Sequence, residues 1–228
     1  MIDEKPQAET LIFAQWADAR AEDLHCFRCL EPADAAIFQV LPNAEAARAE
    51  AVLAENTSPL LIGDAAVADG TLIGRLAQGA GAGRLGVYVR AGRMPVSWSL
   101  DTTSNADFRC VTPSWCKPGW EVLRADGRGT GTDVAWWLQE MFSAGAVRAL
   151  IQKDIEDEDL DMCATLNLQF PGKLWFEPSA GFSGDLEPWV RYGKVRQLVL
   201  PDNGKYPEAE HERLRTVVAA LAKEEDVV

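Results

Sequence analysis

The chain has 228 residues, of which 47% are hydrophobic, and carries a net charge of −13 from 35 acidic and 22 basic residues. This length and composition predict a globular protein that needs no disulfide or metal for stability. Its negative charge repels nucleic-acid phosphates and anionic membrane surfaces, so we expect neither as a partner.

The N-terminal residues Met-Ile-Asp-Glu-Lys lack the apolar core of a secretion signal, and no run approaches 18 apolar residues. We therefore expect a cytoplasmic protein. No Pro/Ser-rich linker divides the chain, which predicts one domain over residues 1–228 with charged tails at about 1–10 and 222–228.

Apolar runs bounded by turn residues alternate with helical patterns along most of the chain. The predicted strands are residues 11–16, 36–41, 59–62, 84–89, 96–100, 149–152, 174–176 and 197–200. The predicted helices are residues 43–55, 70–78, 132–144, 160–170 and 207–221. The stretch through Cys29 fits a helix or a strand, and residues 102–131 form a long excursion.

Eight strands, most of them separated by helices, predict a single α/β (βα)8 barrel of the TIM type. An open, doubly wound sheet is the alternative, because periodicity does not separate the two. The Gly-rich stretch 79–86 follows a helix and leads into a strand, the reverse of a dinucleotide fingerprint, so we expect no cofactor.

The five cysteines form an odd set without a signal peptide, which argues against a disulfide framework. Cys26 and Cys29 have the spacing of zinc ligands, and Cys110 and Cys116 offer a looser second pair. Reduced, idle thiols are the favoured interpretation, and we predict no metal.

An active site on a barrel lies where the parallel strands end. Polar residues at these ends are Asp64, Arg90, Asp101, Lys153, Asp154, Glu177 and Asp202. Asp101 leaves an apolar strand that contains Trp98, so desolvation can raise its pKa for acid/base work. Lys153 follows a buried strand and fits either an electrophile or an ion-pair partner of Asp154 or Glu177. The acidic run 156–161 fits a solvated loop better than a cation site.

Two glycine-containing loops offer backbone amides to an anion. One follows the seventh predicted strand and contains Ala180 and Gly181; the other follows the eighth and contains Asn203 and Gly204. We predict that these two loops bind phosphate, and ordinary turns are the alternative.

Several segments resemble the phosphoribosyl-formimino-AICAR-phosphate isomerase of histidine biosynthesis in their order and spacing. These segments are 96–102 (VSWSLDT), 119–122 (GWEV), 144–155 (AGAVRALIQKDI) and 173–181 (KLWFEPSAG). The resemblance covers roughly residues 58–200 and implies a phosphate-binding barrel. It makes Asp101 one half of an acid/base pair and places Gly63, after 58–62 (SPLLI), in a second phosphate loop.

The sequence departs from this family at three places. Residues 11–16 (LIFAQW) lack the strand-one aspartate that completes the acid/base pair. Residues 156–159 (EDED) replace Asp-Gly-Thr, and residues 201–204 (PDNG) replace Gly-Arg. The chain is thus similar to diverged relatives of this isomerase that accompany tetrahydromethanopterin- or methanofuran-dependent one-carbon metabolism.

These observations predict an isomerase- or lyase-like protein that acts on a small phosphorylated metabolite, with Asp101, Lys153 and Asp154 as catalytic residues. The alternative is a non-catalytic barrel that binds a ligand or another subunit. The eight tryptophans allow an apolar contact surface and a homo-oligomer.

Overall fold

The computed structural model describes residues 10–17, 23–31, 36–80, 83–94, 119–201 and 204–225. The strands in these ranges are β1 (Ile12–Trp16), β2 (His25–Cys29), β3 (Ile37–Leu41), β4 (Leu60–Ile62), β5 (Leu85–Arg93), β6 (Trp120–Leu123), β7 (Gly129–Asp133), β8 (Arg148–Gln152), β9 (Leu174–Glu177) and β10 (Gln197–Leu200). The helices are α1 (Ala46–Glu55), α2 (Asp64–Ala68), α3 (Leu72–Ala80), α4 (Val134–Ala144), α5 (Leu160–Gln169), α6 (Glu187–Arg191) and α7 (Glu208–Glu225), with a 3-10 turn at Asp157–Asp159.

Eight strands close into a β-barrel in the order β1-β2-β3-β4-β5-β8-β9-β10. The β4–β5 pairing, with Leu61 opposite Gly86, and the parallel β1–β10 pairing complete the ring. This closure excludes the open, doubly wound sheet. Strand β2 is antiparallel to both of its neighbours, whereas the other barrel pairings are parallel.

The predicted (βα)8 TIM barrel is wrong, because the sheet is mixed and its helices do not alternate with every strand. The chain passes from β1 to β3 through β2, a strand in the sheet, where a (βα)8 barrel has a helix outside it. Alternation explains this choice: Phe27 and Cys29 are buried in the barrel, whereas Arg28 is exposed. Strands β6 and β7 form a hairpin that extends the sheet beyond the barrel from β5.

The barrel interior is packed by side chains from all eight strands. Its apolar members are Ala14, Trp16, Phe27, Cys29, Phe38, Val40, Leu61, Tyr88, Leu150, Trp175 and Val199. A second apolar layer lies between the sheet and the helices, and Trp120, Trp137 and Trp189 are among its fully buried members. None of the helices in the described ranges combines the length and apolarity needed to span a membrane.

Most predicted elements are confirmed, with shifts of a few residues at their ends. The helix predicted at 132–144 begins at Val134, because Asp133 ends β7 and its carboxylate accepts a hydrogen bond from the Trp136 N–H at 2.8 Å. The excursion at 102–131 contains β6 and the start of β7, which the sequence did not indicate. The strand predicted at 96–100 lies outside the described residues.

Candidate functional site at the barrel mouth

A cavity of about 260 Å³ opens at the end of the barrel where the parallel strands finish. Each water molecule in the liquid takes up about 30 Å³, so the cavity has room for several water molecules or for one small metabolite. Its charged and polar lining includes His25, Arg90, Gln152 and Glu177. The mouth of the barrel therefore concentrates polar groups above a closely packed apolar interior.

Strand alternation explains why these side chains reach the cavity. Arg90 lies two residues beyond Tyr88 on β5, and Glu177 two residues beyond Trp175 on β9. Tyr88 and Trp175 belong to the barrel interior, and residues two positions apart on a strand share a face. Since β2 runs the opposite way, its first residue, His25, is the one that reaches the mouth.

Glu177 is held toward β1 by a hydrogen bond from the indole of Trp16. The Trp16 Nε1–H donates to Glu177 Oε1 at 2.9 Å. The imidazole of His25 stands edge-on to the Trp16 ring, with centroids 6.0 Å apart. A carboxylate and an imidazole therefore line the same cavity, and these are the two kinds of side chain that enzymes most often use to transfer protons.

Arg90 is held on the opposite side of the mouth. Its Nη2–H donates to Asn43 Oδ1 at 2.8 Å, and its Nη1 lies 3.7 Å from Asp64 Oδ1. The guanidinium carbon also lies 5.2 Å from the centre of the Tyr88 ring. Burial and the nearby charge of Glu177 raise the pKa of Tyr88, so this phenol stays protonated and remains a hydrogen-bond donor. Arginine presents five donors, and these contacts leave some of them for an anion.

Asp154 fixes the loop that follows β9. Its two carboxylate oxygens accept hydrogen bonds from the Ser179 N–H and the Ser179 hydroxyl, each at 2.7 Å. The Phe182 N–H closes the turn by donating to the Ser179 carbonyl at 3.0 Å. The turn itself does not use the N–H groups of its central residues, Ala180 and Gly181, and Ala180 lines the mouth cavity.

Lys153 points away from the cavity, into a buried ion-pair network. Its Nζ lies 3.0 Å from Asp159 Oδ2 and donates to the Asp154 carbonyl at 2.9 Å. Asp159 Oδ1 also accepts from Trp120 Nε1 at 3.0 Å and lies 3.0 Å from Arg93 Nη2. Asp159 is therefore buried and bound to three side chains, although we expected the whole acidic run 156–161 to be a solvated loop.

The remaining predicted site residues are not gathered at the mouth. The N–H of Gly63 donates to the Leu41 carbonyl at 2.9 Å, and a Cβ at this position would lie 2.3 Å from the Pro42 carbonyl oxygen. Gly63 thus serves close packing of β4 against β3. Gly204 is exposed, with a φ of 71° that suits glycine. Asp101 and Asn203 lie outside the described residues.

The two predicted phosphate loops flank a second, wide hollow of about 720 Å³. Ser183 and Gly184 line it from one loop, and Lys205 lines it from the other. Its arginine, Arg213, is bound to the carboxylates of Asp185, Glu187 and Glu210 at 2.5–2.7 Å. These three carboxylates outnumber the single guanidinium, so their negative charge disfavours the binding of a further anion in this hollow.

The two cysteines with zinc-like spacing cannot share a metal ion. Cys29 points into the barrel and is 4% exposed, whereas Cys26 lies on the other face of β2. Cys110 and Cys116 lie outside the described residues. In the part of the chain that the structure describes, no three His, Cys, Asp or Glu side chains converge as metal ligands.

The sequence placed Arg90 and Glu177 at strand ends but missed His25, Gln152 and Trp16. Trp16 and Gln152 each lie two residues beyond a member of the barrel interior, Ala14 and Leu150. The apolar runs of β1 and β8 do not show which face is the inner one, because both faces are buried. His25 could be recognised only once the direction of β2 was known. The chain matches no protein-family model and none of the curated proteins with which it was compared, so a functional assignment depends on the mouth itself.

Proposed function

We propose that the barrel mouth binds a small anionic metabolite, a phosphate ester or a carboxylate, and catalyses proton transfer on it in the manner of an isomerase or lyase. The observation that carries this proposal is the joint presence of Arg90, Glu177 and His25 around one small cavity. Arginine binds carboxylates and phosphates, and a positioned carboxylate or imidazole moves protons.

Arg90 is suited to hold the anionic group of the ligand. Asn43 and Asp64 fix the guanidinium at the rim, so little side-chain entropy is lost when an anion binds. Ala180, in the turn after β9, lines the same mouth and brings backbone near the cavity, which supports a phosphate ester as the ligand class. We also propose a relationship to the isomerase of histidine biosynthesis, on the basis of the resemblance over roughly residues 58–200.

Glu177 is suited to move the proton. Trp16 fixes the direction of its carboxylate, and the apolar barrel beneath excludes water from one side. His25, against the same indole, can act as the second proton-transfer group. Such a pair would abstract a proton from a carbon of the ligand and return it elsewhere, which is the step common to isomerases and many lyases.

Ligand binding tests the first half of this proposal. A panel of small phosphate esters and carboxylates is screened by thermal shift. A ligand present at one hundred times its Kd should raise the free energy of unfolding by about 2.7 kcal/mol. Arg90→Gln should abolish the shift, whereas Arg128→Gln, at a position paired with Asp126 on the β6–β7 hairpin, should preserve it. Equal shifts in both variants would remove Arg90 from the site.

Solvent exchange tests the catalytic half without knowledge of the product. Each ligand found is incubated with the protein in D2O, and NMR follows exchange of its carbon-bound hydrogens. Glu177→Gln should slow exchange by about a hundredfold or more and leave the binding of simple anions unchanged. Binding without exchange in the wild type would favour the non-catalytic ligand-binding barrel.

A further inference from the structure

We infer that the ligand of the barrel mouth carries a carbonyl group, and that the Tyr88 hydroxyl donates a hydrogen bond to the carbonyl oxygen while a neighbouring carbon loses its proton. This inference rests on the proposed function, because it names the substrate class and a further catalytic residue of the same site. It follows from the position of Tyr88, which belongs to the apolar barrel interior and also lines the mouth cavity.

Strand β5 places Tyr88 at the floor of the mouth. Tyr88 lies two residues before Arg90, so both side chains project from the inner face of β5. Tyr88 is only 5% exposed, and its ring is packed among the apolar side chains of the interior. A donor that stabilises a developing charge must be held in place before the reaction, and close packing on a strand provides this.

The two charged side chains of the mouth both act on the phenol. The guanidinium carbon of Arg90 lies 5.2 Å from the centre of the Tyr88 ring, and its positive charge and N–H groups act on the phenol oxygen. A guanidinium has no acceptor, so the phenol is the acceptor in this contact and keeps its own proton for donation. Burial raises the pKa of Tyr88, the negative charge of Glu177 raises it further, and Arg90 does not reverse this shift.

A protonated phenol in this position suits proton abstraction beside a carbonyl. As Glu177 takes the proton, the C–H electron pair forms a C=C bond and the carbonyl π pair moves onto the oxygen. A hydrogen bond from Tyr88 stabilises the negative charge that forms there, and the apolar surroundings strengthen this hydrogen bond. Return of the proton to carbon restores the C=O bond, so the cycle needs no oxidant or reductant.

Carbonyl compounds and their reduced counterparts test the substrate class. Dihydroxyacetone phosphate and 4-oxopentanoate carry an anionic group and hydrogens on carbons beside a carbonyl. Glycerol 1-phosphate and 4-hydroxypentanoate keep the anionic group and lack the carbonyl. In D2O, the wild type should exchange the hydrogens beside the carbonyl of at least one of the first two compounds about tenfold or more faster than buffer alone. The two reduced compounds should bind without exchange, as followed by NMR.

Tyr88→Phe tests the catalytic residue, because it removes the hydroxyl and keeps the ring in the barrel interior. The maximal exchange rate should fall by about a hundredfold or more. The probe concentration that gives half-maximal exchange should change by less than about twofold, since the hydrogen bond strengthens only as charge develops. Tyr206→Phe is the matched control, because burial also raises the pKa of Tyr206 but its side chain lines the hollow at Lys205 and Arg213. It should leave exchange unchanged.

The thermal shift given by glycerol 1-phosphate shows whether the mouth of the Tyr88→Phe variant is intact. Loss of this shift together with exchange would assign Tyr88 to the fold and overturn its catalytic role. Exchange at the wild-type rate in Tyr88→Phe would also overturn it, while the proposed function stands. Exchange only of ligands that lack a carbonyl would overturn the substrate class alone. If the wild type exchanges no ligand at all, the proposed proton transfer and this inference both fail.

Discussion

At the scale of single residues, Asp159 links β5, β6 and the segment that follows β8. It contacts Arg93 at the end of β5, Trp120 on β6 and Lys153 after β8, and its side chain is 3% exposed. Burial alone would raise the pKa of Asp159, but the hydrogen bonds from Trp120 and Lys153 outweigh it and lower the pKa. Its charged form is therefore the one that stabilises the fold.

Replacing Asp159 by Asn should lower the free energy of unfolding by about 3 kcal/mol near neutral pH, because Lys153 loses its buried partner. Since the folded-state pKa is lowered, this stability is present above the ordinary carboxyl pKa of about 4 and is lost as pH falls through the folded value. The wild type and Asp159→Asn should thus converge in acid, as followed by urea unfolding across pH.

Asp157→Asn, in the same 3-10 turn but exposed, is the matched control and should change stability by less than about 0.5 kcal/mol. Equal losses of stability in the two variants would contradict a special role for the Asp159 network. So would a difference between the wild type and Asp159→Asn that does not shrink as the pH falls below the ordinary carboxyl range.

At the scale of secondary-structure elements, β2 distinguishes this mixed barrel from a (βα)8 barrel, because a strand connects β1 to β3 where a helix was expected. The exposure of its two cysteines depends on whether residues 25–29 form a strand or a helix. In a helix, Cys26 and Cys29 would lie three positions apart on one face; in the strand they lie on opposite faces. Burial raises the pKa of the Cys26 thiol, which slows its reaction at neutral pH without enclosing it. Cys29 is buried inside the barrel, and Cys163 lies on the buried face of α5.

Native-state alkylation read by peptide mass spectrometry should therefore label Cys26, faster as pH rises, and spare Cys29 and Cys163 until urea unfolds the chain. Cys163 serves as the internal control because it is buried in either topology for residues 25–29. Comparable labelling of Cys26 and Cys29 in the native protein would contradict β2 as a barrel strand.

Local sequence patterns predicted most elements but not how they pair. The apolar runs at β3, β8, β9 and β10 are strong signals because these strands are buried on both faces. The HCFRC pattern of β2 fits a helix or a strand, and the (βα)8 prediction was made from eight other strands. The pairing and direction of β2 are set by partners distant in sequence, so the local pattern did not indicate that it completes the barrel. For the same reason His25 was missed, whereas Arg90 and Glu177 were recognisable as strand-end residues.

Lys153 and Asp154 show the limit of inferring roles from strand ends. Both follow β8 directly, yet their side chains bind Asp159 and Ser179. Only Gln152, one residue earlier and on the inner face, lines the mouth. Whether a residue at a strand end faces the cavity depends on the parity of its position, which the sequence alone did not fix.

At the scale of the whole molecule, the central claim is that function resides at the barrel mouth between Arg90 and Glu177. A crystal structure of the protein soaked with the tightest-binding phosphate ester or carboxylate tests this claim most directly. We expect ligand density in the mouth cavity, with the anionic group at Arg90 and the opposite end beside Glu177 and Trp16. Ligand density confined to the hollow at Lys205 and Arg213, with the mouth holding only water, would contradict it.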